Sequence, residues 1–223
     1  MATSGTRAFS LDAATAIEEA FEVAGLELRT GYDALAARRS LNLIFADWSN
    51  RGIQLWEVTQ VITSLVEGTN SYALNAYDID ILDAVIRRDE SGTDTDLQIT
   101  RIDRNEFLSI PTKTTKGRPS QFYVERTITP TVYLWPTPEN STDKLISYRW
   151  TRIQDVDAAI NDLDLPSRFL PCMVLGLATS LAIKKNPGKL QILQPLYETS
   201  LQNALRYDED RSSVHLVPRP TYF

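Results

Sequence analysis

The stretch PSRFLPCMVLGLATSLAIKK, Pro166 to Lys185, is apolar nearly all round, with Gly176, Ala178 and Ser180 as its small residues. A helix with no polar face has to be surrounded by other elements. Helical patterning at both ends of the chain offers that company. With Ser10 as N-cap and Asp12 in the first turn, Ile17, Ala20, Phe21 and Ala24 recur at helical spacing until Gly25. A second helix is predicted from Tyr32 or Asp33. Its apolar stripe is Leu41, Ile44, Phe45 and Trp48, and Asn50-Arg51-Gly52 stops it, Gly52 supplying the left-handed residue. A third is predicted with Leu55, Val58, Ile62, Leu65 and Val66 on one face, ended by Gly68. Short loops make neighbours antiparallel, so residues 1–68 read as a three-helix unit. The last helix, Leu190 to Tyr207, carries Leu193, Leu196, Tyr197, Leu201, Ala204 and Leu205, with Pro195 as a kink or its true first turn. Residues 154–207 are expected to pack back on the bundle.

Between these regions the pattern is extended. SYALNAYDIDILDAVIRRDE mixes alternating apolar residues with aspartates, and DLQITRI is a short strand. DRNEFLSIP is a short helix stopped by Pro111. SQFYVERTI and TVYLWP are aromatic and β-branched strand material joined through Thr129-Pro130. KLISYRWTRI sets Leu145, Ser147, Arg149 and Thr151 against Ile146, Tyr148, Trp150 and Arg152. Residues 69–153 are therefore a β-rich region with a short inserted helix. From Asp208 onward DEDRSSVHLVPRPTYF has no periodicity and is an extended tail. The expected class is α+β: a helical bundle, a small antiparallel β-sheet region and an extended C-terminal tail.

At 223 residues, 43% hydrophobic and 23% charged, the chain builds a core without disulfide or metal staples. Cys172 has no partner for an internal disulfide and sits in the apolar run as a buried thiol, which fits a reducing compartment. No stretch reaches the roughly 18 apolar residues of a membrane span, and the N-terminus lacks a signal core. Synthesis in the cytosol and no membrane partner are expected. The net charge of −6 argues against a surface built to hold nucleic acid, though an acidic wall suits passive contact with DNA.

The search for reaction chemistry yields no catalytic, cofactor or metal residues. The one histidine, His215, lies in the tail, where no imidazole is held rigidly. Metal sites of several histidines or cysteines are excluded by count, and no phosphate-cradling glycine motif occurs. Glu18, Glu19 and Glu22 read as a solvated helix face. Two converging acids elsewhere remain open to a glycoside-hydrolysis reading. Asp155, Asp157, Asp162 and Asp164 lack the spacing of a calcium loop and read as a solvated, capping stretch. KTTKGRP holds Lys113, Lys116 and Arg118, either an exposed turn or a contact for nucleic-acid phosphate or an acidic partner. Leu41, Ile44, Phe45 and Trp48 are expected in the core. Trp56 is expected to clamp the second helix onto the third, its indole N–H near solvent.

Several fragments then fall in a particular order: ARRSLN at 37–42, Trp48, RGIQLW at 51–56, SYAL and DIDIL, KGRPSQFYVER at 116–126, VYLWPTP at 132–138, LATSLA, and LQNALRYDEDRSS at the end. This order resembles the head-to-tail adaptors of short-tailed bacteriophages, also called head completion proteins or tail accessory factors, over nearly the whole chain. Asn75 departs from it, standing where members tend to carry proline. The resemblance implies a helical bundle with a β-rich portion. It also implies a ring of twelve copies beneath the portal that extends the DNA channel, offers a platform to the tail nozzle and needs no catalysis. In that frame the tail docks on the portal, through Val214, His215, Leu216, Val217, Pro218, Arg219, Tyr222 and Phe223. The DNA passes without sequence-specific binding. The rival readings are a peptidoglycan-degrading tail enzyme, a nozzle component, and an unrelated cytosolic module that binds a peptide at its sheet edge.

Overall fold

Asp12, in extended backbone, accepts the Thr15 N–H at 2.7 Å and opens α1 (Ala13–Ala24). The cap is thus Asp12 itself; Ser10 lies outside the residues described by the structure, a computed structural model covering residues 5, 9, 11–53, 55–90, 93–158 and 160–208. Gly25, at φ 65°, ends the helix. α2 (Gly31–Arg51) follows and stops at Gly52, φ 74°.

The expected third helix does not form. Leu55–Glu57 make one 3₁₀ turn, and Val58–Ser64 are a strand, β1. The run VTQVITS is mostly β-branched, and such side chains lose χ1 freedom in a helix. A distant strand supplies the ladder instead. The chain continues with β2 (Ser71–Ala73), β3 (Asp78–Glu90), β4 (Thr93–Gln98) and β5 (Thr100–Arg101). α3 (Arg104–Ser109) begins with a capping box between Asp103 and Glu106. Then come β6 (Lys116–Gly117), β7 (Gln121–Glu125), β8 (Thr131–Trp135), β9 (Thr137–Pro138) and β10 (Lys144–Thr151). α4 (Leu170–Lys185) and α5 (Leu190–Asp208) close the order, and Pro195 lies inside α5 rather than at its start.

Contacts divide the chain into two units: residues through Trp48 with those from Gln154 onward, and Ser49–Ile153. The first is helical. α4 packs against α1 and α5 and buries Cys172, Met173, Leu177 and Leu181. Helix and partner approach so closely at Gly176 that a Cβ there would sit 2.9 Å from the Tyr197 ring. Trp48 lies between Phe45 and Phe169, ring centroids 6.1 and 5.9 Å away, and its indole N–H donates to the Tyr197 hydroxyl at 2.9 Å. Leu41, Phe45 and Trp48 are buried, and Ile44 is half-buried. Asn42 exchanges hydrogen bonds with the Val156 backbone, fastening α2 to the returning chain. Ser167–Lys185 is, by length and composition, apolar enough to cross a bilayer, contrary to the reading of the sequence. Here that apolarity is spent on neighbouring helices.

Among the described residues the second unit holds a two-stranded pair, β6-β9, and two four-stranded sheets, β1-β10-β3-β4 and β2-β8-β7-β5. Ile81, Ile86, Phe122, Val132, Leu134 and Leu145 lie at the centre of their shared core. Pairing is antiparallel except for two short parallel pairs, β5–β7 and β6–β9. β10 pairs with β1 on one side and β3 on the other, and turns Leu145, Ser147, Arg149 and Thr151 inward as the alternation requires. The class is α+β.

Candidate interaction surfaces

Among the described residues no group of three or more His, Cys, Asp or Glu is placed to hold a metal. Asp155, Asp162 and Asp164 line a cavity of about 380 Å³. Within that loop Asp164 accepts the Gln154 N–H at 3.3 Å, and Asp157 accepts from Asn161. These bonds hold the chain as it re-enters the helical unit. Glu18, Glu19 and Glu22 are exposed along α1. Cys172 is buried, its thiol donates to the Phe169 carbonyl at 3.1 Å, and burial pushes its pKa up to about 12. Such a thiol is not a nucleophile at neutral pH. His215 and the docking residues Val214, Leu216, Val217, Pro218, Arg219, Tyr222 and Phe223 lie outside the described residues.

The basic loop is woven into the sheet unit. Lys113 donates to the Leu108 and Ile110 carbonyls at 3.3 and 3.1 Å and sits 5.3 Å from the Phe107 ring centroid. It thereby satisfies the C-terminal end of α3. Lys116 pairs with Glu67 at 2.7 Å, a hydrogen bond that holds the Glu67 carboxyl below its ordinary range. Arg118 has its Nε and Nη2 buried without a hydrogen-bond partner. Its charge is one of several acting on Asp143. Burial would raise that carboxyl, but hydrogen bonds from Arg88 and Asn140 and the Arg88 and Arg118 charges hold it low. Lys113 is thus held against α3, while the Lys116–Glu67 pair lies at the surface, its side chains 58% and 52% exposed. Trp56 is half-buried on the 3₁₀ turn with its indole nitrogen buried, not near solvent, and there is no third helix for it to clamp.

Buried charge is the feature that the sequence concealed. Asp78 and Arg149, side chains 1% and 5% exposed, form an ion pair at 3.0 Å. Arg149 also donates to Ser147 and Thr63, at 3.0 and 2.9 Å. Asn75, where the resemblance expects proline, donates its N–H to Asp78 at 3.0 Å, a bond that proline has no hydrogen to make. Asp80 takes both Arg101, at 2.9 and 3.0 Å, and Arg126. These partners are far apart in the chain, so only the alternation that turned Arg149 inward gave any signal.

Two shallow cavities adjoin along α3 and β7, sharing Tyr123. One, about 460 Å³, is lined by Arg101, Asp103, Glu106 and Arg126. The other, about 320 Å³, holds Phe107, Tyr123 and Tyr133, with ring centroids 5.2–6.0 Å apart. Burial and the hydrogen bond to Glu125 raise the Tyr133 pKa above its ordinary value. The charges in these walls are balanced and carry no nucleophile–base pair, so the arrangement suits contact more than chemistry.

Large apolar side chains lie exposed elsewhere. On α2, opposite the Leu41–Trp48 face, Tyr32 and Leu43 are 71% and 69% exposed, with Leu35 beside them. On α5 Ile192 and Leu196 are exposed, and on the sheet β1-β10-β3-β4 Ile62, Tyr148 and Leu82 are. A reading that gave each helix one apolar stripe overlooked the second stripe of α2.

Comparison with known proteins adds one finding. No curated protein matches the chain. The family model described as SU10 adaptor protein matches residues 12–219. That span covers every helix and strand among the described residues and every fragment that carries the adaptor resemblance. The chain therefore belongs to the SU10 adaptor protein family, a phage structural protein of the virion.

Proposed function

We propose that the protein acts as a ring-forming adaptor at the head–tail junction, twelve copies joining the portal to the tail nozzle and extending the DNA channel. The family match over residues 12–219 carries this reading. A closed ring needs two different, complementary faces on each subunit. The exposed apolar faces of α2 (Tyr32, Leu35, Leu43) and α5 (Ile192, Leu196) supply dissimilar surfaces of the right kind. The net charge of −6 favours a lumen that DNA slides past.

The tail is assigned to the portal through its apolar anchors from Val214 to Phe223. Ordering each of its residues costs roughly 1–2 kcal/mol of backbone freedom. Each large side chain buried returns about 1.5–3 kcal/mol. One tail alone binds weakly, and a ring of linked tails gains through effective concentration. Co-sedimentation with purified portal rings tests both parts. The full chain pellets with portal, and a chain ending at Tyr207 stays folded but remains in the supernatant. Failure of the full chain to pellet removes the adaptor role; pelleting of the truncated chain removes the tail from it.

A further inference from the structure

β1 is an outer edge of the sheet β1-β10-β3-β4. It pairs with β10 without a register break from Val58↔Trp150 to Ser64↔Lys144. Leu65, next in the same register, donates its N–H to the Asp143 carbonyl at 3.0 Å. In an antiparallel ladder alternate residues face the partner. Thr63, Val61 and Thr59 therefore bond to β10, and the N–H and C=O groups of Val58, Gln60, Ile62 and Ser64 point away from it.

Such a row is a template for another strand, and sheets that remain alone guard it with charge, proline, bulges or brevity. The other edges here are guarded. β4 carries Asp94 and Asp96, β2 has three residues, and β5 has two. β1 is seven residues, VTQVITS, with no charge and no proline. The bulges of this sheet fall between β10 and β3, not at β1. A second observation concerns the outward face beside the edge. Ile62 is 55% exposed and Tyr148, diagonal to it and opposite Gln60, is 45% exposed, so apolar surface reaches the free edge.

We infer that the β1 edge is completed in the assembled particle by an added strand from a second virion protein. That strand is an extended, uncharged segment with apolar side chains at alternate positions, continuing the Ile62–Tyr148 surface. Backbone bonds supply the attachment in this mode, and the alternate side chains supply selectivity. The lack of charge along β1 matches an uncharged occupant. A second copy of this chain is a poor fit. Its β4 edge is acidic, its other free edges are short, and β1 paired with β1 is a two-fold contact that closes as a dimer rather than a ring. The inference rests on the adaptor reading for the existence of an assembly.

The test uses assembled tails and the free protein. Amide hydrogen exchange at Gln60, Ile62 and Ser64 is fast in the free protein and slows in the particle. A photo-crosslinking residue at position 60 joins a segment of another virion protein. Gln60→Pro removes only an outward N–H; Ile62→Lys places a charge beside the edge. Both keep the wild-type circular dichroism and lose incorporation into particles by about tenfold or more. Val61→Pro, which removes a ladder bond, serves as the unfolding control. Fast exchange at the three amides inside intact particles overturns the inference, as does a crosslink only to another copy of this chain, whether at β1 or at residues 209–223. If the chain joins no particle at all, the adaptor reading falls first and this inference with it.

Discussion

The two units solve the problem of a stable core in opposite ways. In the helical unit the buried side chains are nearly all apolar, and Trp48 is fixed by two aromatic neighbours and one hydrogen bond. The sheet unit buries Asp78, Asp80, Asp143 and Arg149 as well as its apolar residues. Removing a charge from water is compensated only when partners are complete. The helical unit should therefore respond to loss of volume, and the sheet unit to loss of a partner or a proton.

The largest effects should come from the two centres. Trp48→Ala should cost about 3–5 kcal/mol in denaturant unfolding, because the cavity between Phe45 and Phe169 has no ready filler. Arg149→Met should cost about as much, roughly 3–5 kcal/mol, by stranding Asp78 in the core. The repair tells them apart. Adding Asp78→Leu to Arg149→Met should recover most of the loss, since an apolar pair replaces an ionic one. Asp78→Leu also gives up the Asn75 N–H bond to Oδ2, so the recovery stops short of complete. No second substitution at Tyr197 should rescue Trp48→Ala.

Smaller effects follow pH, with opposite signs in the two units. The folded-state pKa of Asp143 lies below the ordinary 3.8. Its contribution is present above that value and is lost as pH falls through the lower folded value, so the sheet unit weakens in acid. Asp143→Asn should remove that acid-dependent part, read as urea midpoints that no longer fall as pH drops below the ordinary carboxylate range. Cys172 acts at the other end. Its pKa is raised from 9.0 to about 12, so the unfolded thiol ionises first. Stability falls as pH rises across that window, by about 1.4 kcal/mol per unit. Cys172→Ala should flatten the alkaline limb and leave the acid limb unchanged, read from urea midpoints between pH 8 and 11.

Local patterning made α1, α2, α4 and α5 legible, because each carries its stripe or apolar run within one segment. The same method misread Leu55 to Val66. Its apolar residues fall at helical spacing, yet β1 owes its form to β10, some eighty residues on. The inward side of β10 was legible as alternation, but not that Arg149 would meet Asp78. The cap at Asp12 instead of Ser10 is a two-residue matter of which carboxylate or hydroxyl reaches the first turn. Of the candidate contact residues, Lys113 and Lys116 also make bonds within the sheet unit, which the sequence did not show. The free edge of β1 became visible only once the strand was known to be one.

Electron microscopy of the protein bound to portal addresses the central claim directly. The account predicts a closed ring of this chain on the portal, continuing its channel, with density for residues 208–223 reaching the portal subunits. Portal particles unchanged by a large excess of the protein, or solitary copies scattered beside them, would contradict it.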